Sequence, residues 1–304
     1  MSKKVYSGIQ SLPKGHASDH ITPGCICLEG GAFRGLYGEG VLDALMEADI
    51  NFECTVGVSA GTLNALNYVS GQIGRSARLN LNFRNDDRYV GIRALLRSHS
   101  IIGFDFMFET MFETEPFDHE AFNNPKRRVL AGCLNCNTGK TEFIERGKTK
   151  CDFYEVVRAS SSMPFLSRMV DVDGTPYLDG GCEIRIPYQW AIDNGYEKVV
   201  VIRTRHDDYR KPIHHPVVGW IEKRCYRKFP KVGETIAAMN QLYNEHCDEM
   251  LRLREEGRIF IISPSQPILI GRLEKDLDVL GDLYYMGYHD AQNCIPALKE
   301  YLAK

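Results

Sequence analysis

What most restricts the fold of this chain is a unit that occurs twice near its start: a short apolar run, a glycine-containing turn, then apolar residues at helical spacing. In the first copy, Cys25-Ile26-Cys27-Leu28 reads as a buried strand, Gly30 and Gly31 break it, and Leu36, Val41, Ala44, Leu45 and Ala48 fall on one helical face. In the second, the extended run Phe52–Val58 ends at Ser59, and Ala60, Leu63, Leu66 and Val69 follow at helical spacing until Gly71. Strand, turn and helix, twice over, predict an α/β fold with a mostly parallel central sheet.

Further along, 128–135 and 141–145 read as a hairpin about Asn137-Thr138-Gly139-Lys140, 152–160 as a short helix, and 169–172 with 175–178 as strands flanking Asp173-Gly174. The β-branched run 198–202 suits an inner parallel strand. A long helix is expected over 232–256, a strand over 258–262 and helix in the tail beyond Leu283. Without internal repeats or low-complexity linkers, the expected layout is a loose leader at 1–23, a core at 24–205 and a helical C-terminal extension packed on it at 206–304.

Charge and cysteine usage narrow the function classes. A net charge of −3 over 304 residues gives no overall basic field, which argues against nucleic acid as the partner. No stretch approaches the roughly 20 apolar residues needed to span a bilayer. Lys3 and Lys4 have no apolar run behind them, so no secretory signal is evident, and the ten cysteines are expected as free thiols in the cytoplasm. Cys133 and Cys136 form a lone CxxC, without the second pair that a structural zinc needs. Neither a metal nor an organic cofactor is expected.

Three short segments carry chemistry. Gly57-Val58-Ser59-Ala60-Gly61 is G-x-S-x-G between strand and helix: a serine at a sharp bend projects its hydroxyl off the sheet, and flanking glycines relieve crowding. The plainer reading is a β–α turn with a capping serine. Glu29-Gly30-Gly31-Ala32-Phe33-Arg34-Gly35 is a small-residue loop opening a helix, whose N–H groups suit either a nucleotide phosphate or a tetrahedral oxyanion. Its glycine spacing fits neither the Walker pattern nor G-x-G-x-x-G. Asp179-Gly180-Gly181 follows a strand and, in isolation, is a turn.

In this order, the three segments resemble the signatures of the patatin-like phospholipase family: a glycine-rich oxyanion loop with a basic residue, G-x-S-x-G, and D-G-G/A. Arg158-Ala159-Ser160-Ser161-Ser162-Met163-Pro164-Phe165 is similar to the family's segment ahead of the aspartate. The resemblance covers about 24–190, and a softer one to intracellular bacterial members continues through Arg203-Thr204-Arg205, Tyr209-Arg210-Lys211 and the C-terminal helix. It implies a three-layer patatin-like fold and a serine lipid acyl hydrolase cleaving fatty acyl esters through an acyl-serine. Ser59 is then the nucleophile and Asp179 the base. Gly30, Gly31 and Ala32 supply the oxyanion N–H groups, with Arg34 anchoring that loop or adding positive potential to the oxyanion site, or else forming an ordinary salt bridge. Gly35, Gly57, Gly61, Gly180 and Gly181 complete the motifs. Two positions depart from the family pattern: Ala32 replaces the third loop glycine, which matters if that position needs φ > 0, and Glu29 replaces the usual aspartate.

A free aspartate, with a pKa of about 3.9, is a weak base, so the dyad requires Asp179 to be partly desolvated and close to Ser59. The mechanistic rival is a histidine triad through His206 or His289, which follow Asp179 in chain order. The functional alternatives are an acyl transferase and a catalytically silent lipid- or protein-binding relative. The apolar stripe across 101–117 reads as core or as a cover over an acyl channel. Lys223, Arg224, Arg227, Lys228 and Lys231, interleaved with Tyr226 and Phe229, read as a solvated face or as a transient contact with lipid head groups.

Overall fold

The computed structural model describes residues 5–213 and 216–304; Lys3 and Lys4 of the leader lie outside the described residues. Its main sheet is formed by β1 (Thr22–Leu28), β2 (Phe52–Val58), β3 (Arg128–Asn135), β4 (Lys140–Glu145), β5 (Val170–Val172), β6 (Thr175–Asp179), β7 (Val199–Ile202) and β8 (Phe260–Ile262). The order across it is β8-β7-β1-β2-β3-β6-β5, with β4 also paired to β3. Strands β8, β7, β1, β2 and β3 run parallel, as the repeated strand–turn–helix units require. The β3–β4 and β6–β5 pairings are antiparallel and match the two predicted turns, and β6 also pairs antiparallel with β3.

Alternation along the strands sorts side chains onto two faces. Ile26, Leu28, Val200 and Ile202 join one core with Leu36, Leu45 and Leu66 from α1 (Gly35–Glu47) and α2 (Ala60–Val69), together with Tyr284 and Leu280 from the C-terminal helix. Cys25, Cys27, Val199 and Val201 join the opposite core with Tyr243, Cys247 and Met250. Burial on both faces explains why these strands are continuously apolar.

The helices of the C-terminal part are Pro216–Cys225, Pro230–Glu255 and Leu277–Ala303; the last two are named here αC and αD. αD lies directly on α1: a Cβ at Gly40 would meet the Tyr284 carbonyl oxygen at 2.0 Å, and one at Gly287 would meet that of Tyr37 at 1.9 Å. Two facing glycines therefore let the helix backbones approach closely. The expected strand at 258–262 is the sheet's edge, so the C-terminal part joins the sheet as well as packing on it.

The described part of the leader, from residue 5 on, is not loose. Tyr6 and Leu12 are buried in the first core, and Gly15–His16 pairs with Gln72–Ile73 as a small antiparallel ribbon. The first sheet strand begins at Thr22, inside the segment assigned to the leader. Single apolar residues among polar ones leave no periodic trace, which is why composition alone misplaced this segment.

Candidate active site

The register of β3 brings the two motif residues together. Val58 lies opposite Gly132, and Asp179 lies opposite the next residue, Cys133. Because β4 occupies the other edge of β3 along 130–135, β2 and β6 must share one edge, converging from opposite directions. Their last residues meet head to head, and the turn after Val58 carries Ser59.

That turn is tight. Ser59 sits at φ 56°, ψ −125°, outside the common basins for an L-residue, immediately before α2. The flanking glycines are needed for contact: a Cβ on Gly57 would lie 2.5 Å from the Gly61 backbone, and one on Gly61 would lie 2.4 Å from the Leu28 carbonyl oxygen. The Ser59 N–H donates to Ser160 Oγ at 3.1 Å, and the Ser160 hydroxyl donates to the Gly132 carbonyl at 2.7 Å. Thr62 Oγ1 lies 2.9 Å from the same hydroxyl. Ser160, fully buried at the end of the helix Phe153–Ser160, thus clamps the bend to β3. Sequence reasoning did not single it out, although it lies in the segment similar to the family's.

Asp179 is 7% exposed. Burial raises its pKa above 3.8; a hydrogen bond from Ser59, the charges of Arg185 and Arg272 and the Gly181 N–H pull the other way. The Gly181 N–H donates to Oδ1 at 2.7 Å, and the Asp179 N–H donates to the Ser162 carbonyl at 2.9 Å, which ties the end of β6 to the Ser160 segment. A Cβ on Gly180 would lie 2.4 Å from the Gly132 carbonyl oxygen, so the D-G-G turn packs on the same β3 residue as the elbow.

The glycine-rich loop provides fewer donors than its sequence offers. The Gly30 N–H donates to the Arg185 carbonyl at 3.3 Å, and that of Phe33 to the Arg272 carbonyl at 3.2 Å. Gly30 is therefore corrected from donor to spacer: a Cβ there would touch Ser59 Cβ at 3.0 Å. Among the described residues no acceptor is found for the Gly31 and Ala32 N–H groups, and both residues line the cleft containing Ser59 and Asp179. Ala32 does adopt positive φ, at 51°. Gly35 opens α1 against Ala60, its Cβ position 3.1 Å from the Ala60 Cβ.

Arg34 anchors the loop and pairs with no carboxylate among the described residues. Its Nε and Nη2 donate to the Ile270 carbonyl at 3.1 and 3.0 Å. Burial, then neighbouring Arg205 and Arg272, brings its guanidinium down to about 10. Glu29 uses its extra methylene to reach across the fold: its carboxylate accepts from the Thr204 N–H at 2.7 Å and from the Tyr243 hydroxyl at 2.9 Å, beside the buried Arg203 at 3.7 Å. The loop is thereby tied to the end of β7 and to αC.

Two clefts open on Ser59. One contains Asp179, Met163, Phe165, Arg185 and Arg272. The other is narrow and mainly apolar, lined by Phe33, Leu36, Leu63, Met107, Phe108 and Phe112. The stripe across 101–117 is therefore divided: Phe104 and Phe117 are core, while Ile102, Met107, Phe108, Met111 and Phe112 wall this channel.

The histidine rival is not supported, since neither His206 nor His289 lines either cleft. His206 Nδ1 lies 3.4 Å from Asp208, and His289 Nδ1 lies 3.2 Å from Gln292. Cys133 and Cys136 are buried free thiols donating to the carbonyls of Val156 and Leu134. Among the described residues no group of His, Cys, Asp or Glu is arranged to hold a metal, and no helix is long and apolar enough to cross a membrane. The basic cluster lies on and after Pro216–Cys225; beside it, Tyr226 stacks edge-on against Phe165 of the cleft rim at 5.3 Å and accepts its N–H at 3.2 Å.

Most of the chain is similar to known protein families. The C-terminal residues 229–303 match a family model described as a domain of unknown function. An uncharacterized protein of Escherichia coli strain K12, YjjU, is 30% identical over 190 residues, which cover 60% of this chain and 52% of that protein. The chain thus aligns with about half the length of this curated relative. Among solved structures, VipD from Legionella pneumophila aligns over 98% of this chain and 71% of its own, with a TM-score of 0.44 and 13% identity. The model described as patatin-like phospholipase matches residues 26–192, more than half of the chain and all three motif segments, so the chain belongs to the patatin-like phospholipase family.

Proposed function

We propose that this protein is a serine lipid acyl hydrolase working through a Ser59–Asp179 dyad. The observation carrying the proposal is the Ser59 hydroxyl, held on a strained elbow in the same cleft as a buried carboxylate whose pKa is raised by desolvation and lowered in turn by Ser59. Ser59 Oγ attacks the ester carbonyl carbon as Asp179 takes the hydroxyl proton. The tetrahedral oxyanion is met by the Gly31 and Ala32 N–H groups, a contribution of several kcal/mol in such sites, roughly 3–4 per donor. Collapse breaks the ester C–O bond, and the departing alkoxide takes the proton from Asp179. Water then loses a proton to Asp179, attacks the acyl-serine and releases the fatty acid as Ser59 is reprotonated. The apolar channel beside Ser59 receives the acyl chain.

The rim supports delivery from a lipid surface. Phe165, Leu166, Trp220 and Ile221 are exposed, alongside exposed Lys223 and Arg224. A cytoplasmic site of action is supported by ten free cysteines. The test is labelling with a fluorophosphonate, together with hydrolysis of esters graded by chain length. Wild type is expected to label at Ser59 and to hydrolyse the esters, whereas folded Ser59→Ala does neither. Folded wild type that neither labels nor turns over any ester refutes the proposal.

A further inference from the structure

A further cleft of about 400 Å³ shares Gly30, Arg185, Met239 and Arg272 with the Ser59–Asp179 cleft. Among the described residues its charged lining is one-sided: Arg34, Arg185, Arg205, Lys211 and Arg272 against the acid Glu29. Glu29 is already engaged by Thr204, Tyr243 and Arg203. The loop arginines are held by main-chain oxygens, Arg34 on Ile270 and Arg205 on Ile268 at 2.7 Å, so their charge is fixed in place but not neutralised. Arg185 and Arg272 also line the cleft of Asp179, whose carboxyl their charges pull down against the effect of burial.

Lys211 is the least satisfied member. It is 8% exposed, its Nζ has no hydrogen-bond partner among the described residues, and it lies over the Tyr243 ring, 4.0 Å from the centroid. Burial and the charges of Arg185 and Arg272 bring its ammonium down to about 6. Buried polar groups are normally hydrogen-bonded, and an unpaired ammonium in this setting is costly. An anion with several acceptor oxygens would satisfy it together with the guanidinium forks around it.

We infer that this cleft is a binding site for a phosphate group, lined by Lys211, Arg185 and Arg272 and adjoining the nucleophile. The phosphate belongs either to the head group of the lipid being cleaved, which rests on the acyl-hydrolase reading above, or to free phosphate.

The test uses the full chain. Isothermal titration with inorganic phosphate is expected to show binding to wild type, weakened about tenfold by Lys211→Met and by Arg272→Gln, the usual consequence of losing one charged hydrogen bond. Thermal melting verifies folding, and the second variant serves if the first does not fold. Kinetics with a short-chain phosphatidylcholine and with p-nitrophenyl butyrate then separate the sources. For a head-group site, inorganic phosphate raises KM for the phospholipid more than for the neutral ester, and Lys211→Met raises the same ratio. For a free-phosphate site, binding occurs without that competition. Phosphate binding in a protein that hydrolyses neither ester would retain the site and remove the acyl-hydrolase reading. The inference is overturned if wild type binds no phosphate at millimolar concentrations, or if both folded variants bind it as wild type does.

Discussion

Replacing Asp179 by asparagine separates the chemistry of the proposed dyad from its role in the fold. Asparagine keeps the shape, and its Oδ1 keeps the 2.7 Å hydrogen bond from the Gly181 N–H. That bond orients the amide so that its NH2 faces Ser59, a donor where proton transfer needs an acceptor. General-base assistance is worth about 10²–10⁴ in rate, or roughly 3–5.5 kcal/mol of barrier, so Asp179→Asn is expected to lower kcat/KM for a neutral ester by that factor. Stability moves the other way. Asp179 is more basic in the folded protein than its ordinary 3.8, with burial as the largest cause, so its ionisation works against folding. The stability it contributes is greatest at low pH and is lost as pH rises through the folded pKa. Asp179→Asn removes this penalty, so the melting temperature at neutral pH should hold or rise while activity collapses. Initial rates of p-nitrophenyl butyrate hydrolysis and a thermal melt on the same sample measure both. A variant within about tenfold of wild-type activity, or one inactive only because it is unfolded at neutral pH, would refute the reasoning.

Ser160→Ala leaves the Ser59 N–H and the Gly132 carbonyl without their buried partner, so a loss of roughly 2–4 kcal/mol in chemical denaturation is expected, with lower activity in the folded fraction. Ala32→Gly relieves an L-residue held at φ 51° and should raise stability by up to about 1 kcal/mol in the same measurement, since its greater unfolded-state freedom offsets part of the gain. Burial raises Glu39 to about 8 and Asp43 to about 7, both above their unfolded values of 4.5 and 3.8. Stability from these acids is thus present at low pH and lost as pH rises toward those values, and Glu39→Gln should flatten the fall in melting temperature between about pH 5 and about pH 8.

Legibility in the sequence followed the range of each interaction. The continuous apolar runs of β1 and β7, helical spacing in α1 and the turns around β4 and β6 are local, and short windows of sequence carried them. The bend at Ser59 and the turn after Asp179 were also legible, because an elbow and a D-G-G turn impose residue types within a few positions. The partners that make those residues useful were less visible. Ser160 belongs to the site through Gly132, Glu29 through Tyr243 and Thr204, and Lys211 through a cleft shared with Arg185 and Arg272. Each of those links crosses between elements that no periodicity connects. Gly30 shows the same limit in reverse: its residue type promised an oxyanion donor, and a distant carbonyl on Arg185 took the N–H.

The position of the proposed dyad therefore depends on β3 more than on either motif. Val58 and Asp179 pair with consecutive residues of that strand, and the Gly132 carbonyl is approached by the Ser160 hydroxyl and by the backbone of Gly180. A one-residue slip of β6 along β3 would turn the Asp179 side chain to the opposite face of the sheet and leave both motifs intact in sequence but separated in space. Close packing opposes that slip at one point: a side chain at residue 180 would collide with the Gly132 carbonyl, so only glycine permits the turn to seat where Asp179 meets Ser59. Gly180→Ala should consequently abolish fluorophosphonate labelling through displacement of Asp179, although the alanine itself touches no substrate. A labelling rate within about tenfold of wild type in this variant would show that the strand register does not set the dyad geometry.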